Sequence, residues 1–174
     1  MNDKLSEIFC FLQQNRKYNK ELQIKFYKGF ITPYDNKESK IISLLYSIAS
    51  TQSKPNINQL SCFFKFIYED LEALSSFESF IKRINKDKKS SFKNLFLGLK
   101  NQNGWGNKTA ALFTKTIYHL HNNDYPESLR IWDDVPNNLD NGDRLYLPVD
   151  AVILSVFNKI DDLKWNFNSI NSLL

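Results

Sequence analysis

The sequence predicts an all-α fold, a single compact helical domain over residues 1–174. Three observations carry this expectation. Apolar residues recur at helical rather than alternating spacing along most of the chain. Only five Gly and five Pro occur, which fits long helices joined by short connections and not many short strands. Hydrophobic residues make up 42%, enough at this length for one buried core without disulfides or metal.

The elements follow in order. Leu5, Ile8, Phe9 and Leu12 form one apolar face of a helix over 3–14. A second segment, about 19–29, carries Leu22, Ile24 and Phe26. Thr32-Pro33-Tyr34-Asp35 ends it, because Pro disfavours helix at the residue before it. Residues 37–50 are apolar nearly all round, which predicts the central buried helix. Ser50 to Pro55 is a polar loop, and a helix over 57–74 follows with Leu60, Phe63, Phe64, Ile67 and Leu71. Two shorter helices, near 75–84 and 90–100, open on Ser75-Ser76 and Ser90-Ser91, whose hydroxyls suit N-caps. Between them Lys86-Asp87-Lys88-Lys89 is a solvated charge run. A helix over 107–121 follows, with Lys115 and His119 on one of its faces and His119 and His121 read as helix-end histidines. Asn122 to Pro126 is turn-rich, 127–132 is short and helical or extended, and 133–144 is a loop. Leu145 to Val149 is apolar and ends at Asp150. The last clear helix is 151–160, burying Ala151, Ile153, Leu154 and Phe157.

Composition excludes several function classes. No run of about 18 apolar residues occurs, so no membrane span is expected. The first residues lack the basic and apolar regions of a signal peptide, which predicts an intracellular, cytoplasmic protein, nucleoid-associated in a prokaryote. Cys10 and Cys62 are too few for a disulfide framework; both fall in apolar helical patterns and are expected to be reduced core residues. Two thiols cannot hold an iron–sulfur cluster, which needs about four, and no residue spacing fits a zinc site. No metal or organic cofactor is expected. The net charge of +4 and pI of about 8.9 are compatible with a polyanionic partner without demanding one.

Two short motifs carry possible chemistry. The first is Gly104-Trp105-Gly106-Asn107-Lys108, between two helical patterns. Gly-x-Gly there makes a tight hairpin, since Gly accepts positive φ and leaves its amide exposed. The free N–H groups of the following helix point the same way, which makes a phosphate site. Alternatively Gly104 simply terminates the preceding helix. Lys108 falls in the first turn of the next helix, where the dipole disfavours a cation and a free amine can act as a nucleophile; the plain alternative is a surface lysine. The second motif is Pro148-Val149-Asp150 before an apolar helix, where Asp150 is in any case a good N-cap.

Taken together, Gly104-Trp105-Gly106-Asn107-Lys108-Thr109-Ala110 and the later Pro148-Val149-Asp150 resemble the helix–hairpin–helix DNA glycosylases, the superfamily of endonuclease III and the 8-oxoguanine glycosylases. The resemblance is carried by residues of about 90–115 and 145–158. It implies a helix–hairpin–helix motif whose glycines, Gly104 and Gly106, hold a DNA phosphate. From its place on the helix face, Lys115 is a candidate for a further phosphate contact, with a solvated lysine as the plain alternative. It implies Lys108 as the Schiff-base lysine and Asp150 as the catalytic carboxylate. Ser47-Ile48-Ala49-Ser50-Thr51-Gln52 resembles the family's early segment that fills the gap left by a flipped base, which makes Gln52 a candidate. Trp105, Trp132, Phe157 and Trp165 are candidates to stack on the base, each with an ordinary core role as the alternative.

The implied activity is excision of a damaged or modified base, 8-oxoguanine first, from double-stranded DNA by a monomeric enzyme with abasic-site lyase activity. The chain departs from the family pattern in two ways. Asp150 lies 42 positions after Lys108, about twice the family's spacing, in a manner similar to archaeal 8-oxoguanine glycosylases. Trp105 stands where an aliphatic hairpin residue is usual. A non-catalytic helix–hairpin–helix DNA-binding module is the main alternative, and a helical protein-interaction domain a further one.

Overall fold

The computed structural model describes residues 2–86, 89–139, 141–160 and 163–173. Among these the fold is entirely helical. The helices are α1 (Asn2–Gln14), α2 (Arg16–Ile31), α3 (Lys37–Ala49), α4 (Ile57–Tyr68), α5 (Phe77–Ile84), α6 (Phe92–Lys100), α7 (Asn107–His121), α8 (Ala151–Ile160) and α9 (Phe167–Leu173). Two 3-10 turns, Leu71–Leu74 and Glu127–Leu129, complete the regular structure. The backbone groups into two compact units, Phe30–Pro148 and Met1–Gly29 with Val149–Leu174.

The larger unit holds most of the core. Within it α6 packs on α7, α5 on α6 and α3 on α7. Ile41, Leu44, Leu45, Phe63, Phe77, Phe80, Phe92, Phe113 and Trp132 are all but inaccessible to solvent. α3 buries Ile41, Leu44, Leu45, Ser47, Ile48 and Ala49 and leaves Tyr46 exposed, so the helix that reads as apolar nearly all round is central but keeps one open side.

Local capping sets many helix starts. The side chains of Asn36, Asn56, Ser76 and Ser91 accept the N–H of Ser39, Gln59, Ser79 and Asn94. The expected helix over 57–74 divides, because the Asp70 carboxylate accepts the Ala73 N–H and starts a separate 3-10 turn after α4 has ended at Tyr68.

The loop over 133–144 is tied to the helical core by its own carboxylates. Asp134 accepts the N–H groups of Phe77 and Glu78, both at 2.9 Å. Asp143 accepts those of Phe92 at 3.0 Å and Lys93 at 2.6 Å. Each carboxylate satisfies two of the orphan donors at a helix start, α5 or α6, and its charge suits the positive end of the helix. His121 does comparable work inside. Its Nδ1 lies 2.8 Å from the Ile117 carbonyl, and its Nε2 accepts the N–H groups of Ile131 and Trp132.

The smaller unit buries little: Tyr27, Val149, Phe157, Ile170 and Asn171. Phe157 meets Trp165 edge-on, with ring centroids 5.2 Å apart.

Three expectations are corrected. Cys10 and Cys62 are free and exposed rather than core, because α1 and α4 turn those positions outward while Phe63 and Ile67 face inward on α4. Ala151 is exposed and only Phe157 of α8 is buried. Helix α9 is not anticipated from the sequence, whose last clear helix is α8. In the charge run at 86–89, Lys86 and Lys89 are exposed, while Asp87 and Lys88 lie outside the described residues.

Candidate functional site

α6 ends at Lys100, and the chain reverses through Asn101 to Gly106 before α7 begins. Gly104 has φ +76°, and a Cβ on it would lie 2.7 Å from Leu60 Cδ2 and 3.0 Å from the Leu60 backbone nitrogen. Conformation and space therefore both require glycine there. Gly106 differs: its φ is −143°, in the extended region, and a Cβ would meet nothing within 4 Å. It serves as the N-cap of α7. Its N–H donates to Thr109 Oγ1 at 3.1 Å, and the Thr109 hydroxyl donates to the Gly106 carbonyl at 3.2 Å. Thr109, buried and reciprocally bonded to the cap, escaped the sequence reading; a Thr three residues after a candidate cap was the available signal.

The loop after α3 meets this turn. Gln52 Nε2 donates to the Gly104 carbonyl and to the Ala49 carbonyl, both at 3.0 Å. Lys108, half-buried in the first turn of α7, donates from Nζ to the Thr51 carbonyl at 3.3 Å. The structure thus brings together Gln52, Gly104, Gly106 and Lys108. Trp105, between the two glycines, points into the core. It meets Phe63 at 5.3 Å and Phe113 at 6.1 Å, both edge-on, and its buried Nε1 has no hydrogen-bond acceptor among the described residues.

Lys115, two turns along α7 on the face of Lys108, is half-buried, and burial pushes its pKa below the ordinary lysine value. Trp132 is 1% exposed, packed on Phe77 and Phe80, and donates from Nε1 to the Leu74 carbonyl at 2.8 Å; the ring is a core strut. Asp150, Phe157 and Trp165 belong to the smaller unit. Asp150 is half-buried and caps α8, its Oδ1 accepting the Ile153 N–H at 2.9 Å.

Chemically, the turn offers an amine at a helix start and backbone N–H groups that no helical carbonyl reaches. Among the described residues no group of three or more His, Cys, Asp or Glu could hold a metal ion, and no helix is long and apolar enough to cross a membrane. Comparison with family models, with curated proteins and with solved structures finds no match.

Proposed function

We propose that this protein is a DNA glycosylase of the helix–hairpin–helix kind with abasic-site lyase activity, acting on duplex DNA that contains a damaged base, 8-oxoguanine first among the candidates. The observation that carries the reading is the gathering of Lys108, Gln52 and the Gly104–Gly106 turn at the start of α7. Open space over Gly106 allows close approach by a phosphate, and the first-turn N–H groups of α7 supply donors for it.

In this mechanism the target base leaves the duplex. The Lys108 amine attacks C1′ of the sugar and the base departs with the glycosidic electron pair. The family resemblance implies that the Asp150 carboxylate stabilises the positive charge that develops on the sugar. The amine then forms an imine with the opened sugar, which acidifies the neighbouring C–H, and β-elimination breaks the strand.

Borohydride reduction of that imine tests the proposal. Wild-type protein should become covalently joined to a duplex carrying 8-oxoguanine or an abasic site. Lys108→Gln should lose the cross-link by at least about tenfold while binding the duplex nearly as well, because the backbone donors remain. Lys115→Gln should trap like wild type. Equal trapping by wild type and Lys108→Gln would refute the lysine's role, and DNA binding without trapping by either would leave a binding module.

A further inference from the structure

Tyr146 belongs to the segment between α7 and α8, and its ring stacks on Phe96 of α6 with centroids 4.2 Å apart and planes inclined by 26°. Cations surround this stack. The Arg144 guanidinium carbon lies 5.3 Å from the Tyr146 ring centre, and Lys100, one turn beyond Phe96, holds its Nζ 6.0 Å from the Phe96 ring centre. Lys93, one turn before Phe96, is tied to Arg144 through Asp143. One oxygen of that carboxylate accepts the Lys93 N–H at 2.6 Å and the Arg144 N–H at 3.0 Å, and the other accepts the Phe92 N–H at 3.0 Å. Positions 93, 96 and 100 share one stripe of α6. The charge of Asp143 is thus met by three backbone N–H groups, while Lys93, Lys100 and Arg144 remain exposed. Among the described residues none of these three makes an ion pair, whereas Lys37, Lys82, Arg83 and Arg130 of the same unit each stand beside a carboxylate. A ring face orients a cation without neutralising it, so this edge keeps its charge for a partner.

We propose that this edge holds the phosphate backbone of duplex DNA. The inference rests on the reading of DNA as the partner, and not on base excision. Spacing and position favour it. Lys93 and Lys100 lie two turns apart, about 10.5 Å along the helix axis, a length over which one strand carries about three phosphates. An acidic protein surface presents no such fixed row of charge. Lys100 is also the last residue of α6, so the edge ends where the turn that leads to the backbone donors of α7 begins. The segment that lengthens the chain between Lys108 and Asp150 thereby acquires a part in binding. Asp143 pins it to the start of α6, and Tyr146 sets Arg144 beside the lysines. Such contacts reach phosphates and not base edges, so they add affinity without reading sequence.

Fluorescence anisotropy of the full chain with an undamaged duplex, across a salt series, tests it. The double variant Lys100→Gln, Arg144→Gln should bind roughly tenfold or more weakly at about 0.1 M salt, and the slope of log Kd against log salt should fall by about two, one for each lost phosphate contact. The double variant Lys65→Gln, Lys82→Gln removes the same charge from elsewhere on the unit and should bind as wild type with an unchanged slope. Arg144→Lys keeps the charge and should keep the slope. All four side chains are exposed, so far-UV circular dichroism should match wild type throughout. Equal losses from the two double variants would mean that net charge alone acts, and would overturn the proposal. A wild-type slope in Lys100→Gln, Arg144→Gln, or no duplex binding by wild type, would overturn it too. Borohydride trapping separates the edge from the excision reading. Trapping through Lys108 together with an indifferent edge variant overturns the edge alone, whereas the predicted loss at the edge without trapping upholds the edge and refutes the lyase.

Discussion

His121 illustrates how much one side chain can hold. Accepting two backbone N–H groups through Nε2 requires an unprotonated nitrogen, and contact with the Ile117 carbonyl requires the proton on Nδ1. The ring must therefore be neutral. Burial is the largest influence and lowers its pKa from 6.5; nearby Arg130 lowers it further, while the hydrogen bond to the Ile117 carbonyl and the charge of Asp134 act the other way. With the folded value below the unfolded one, the unfolded chain takes up the proton first. The stabilisation is thus complete above the unfolded value of 6.5, declines as pH falls below it, and is gone once pH passes the folded value. Melting temperature should drop between about pH 7.5 and pH 5, and His121→Gln should start lower but decline less steeply. Parallel pH profiles for the two proteins would show that His121 does not control this loss. Nothing near His121 in the chain announces the role, because its Nε2 partners, Ile131 and Trp132, lie ten and eleven positions later. Lys108 and Asp150, by contrast, could be picked out because each belongs to a short local pattern at a helix start.

At the scale of elements, α7 and α8 run over the ranges their periodicity predicts, since each opens on a recognisable local signal, Gly106 and Asp150. Elements defined by distant partners were not legible. The loop over 133–144 reads as a plain polar insertion, yet Asp134 and Asp143 make it a brace across the starts of α5 and α6. Adjacent aspartates separate these roles. Among the described residues, Asp133 holds an exposed ion pair with Lys37 at 2.8 Å, which also keeps its pKa below the ordinary value. Asp134 holds two backbone donors. Urea unfolding should therefore find Asp134→Ala destabilised by about 1 kcal/mol or more, as for loss of a helix cap, and Asp133→Ala indistinguishable from wild type. Equal effects from the two would mean that the brace contributes nothing beyond surface charge.

Across the whole molecule the apolar core is unevenly shared. Among the described residues, the aromatic and aliphatic side chains inaccessible to solvent lie almost all between Ile31 and Trp132, whereas α1 and α2 up to Gly29 bury only Tyr27. Local opening is limited by the apolar contacts that must break, so the two units should differ in the free energy of exposing their amides. Hydrogen exchange on the intact chain at low concentration, where any self-association is minimal, should find the amides of α3, α6 and α7 protected to near the global stability. Those of α1 should exchange by fraying, orders of magnitude faster. Protection of α1 equal to that of α7 in the dilute protein would mean that burial does not set the stability of the first helix, and that its apolar side is already satisfied within one chain.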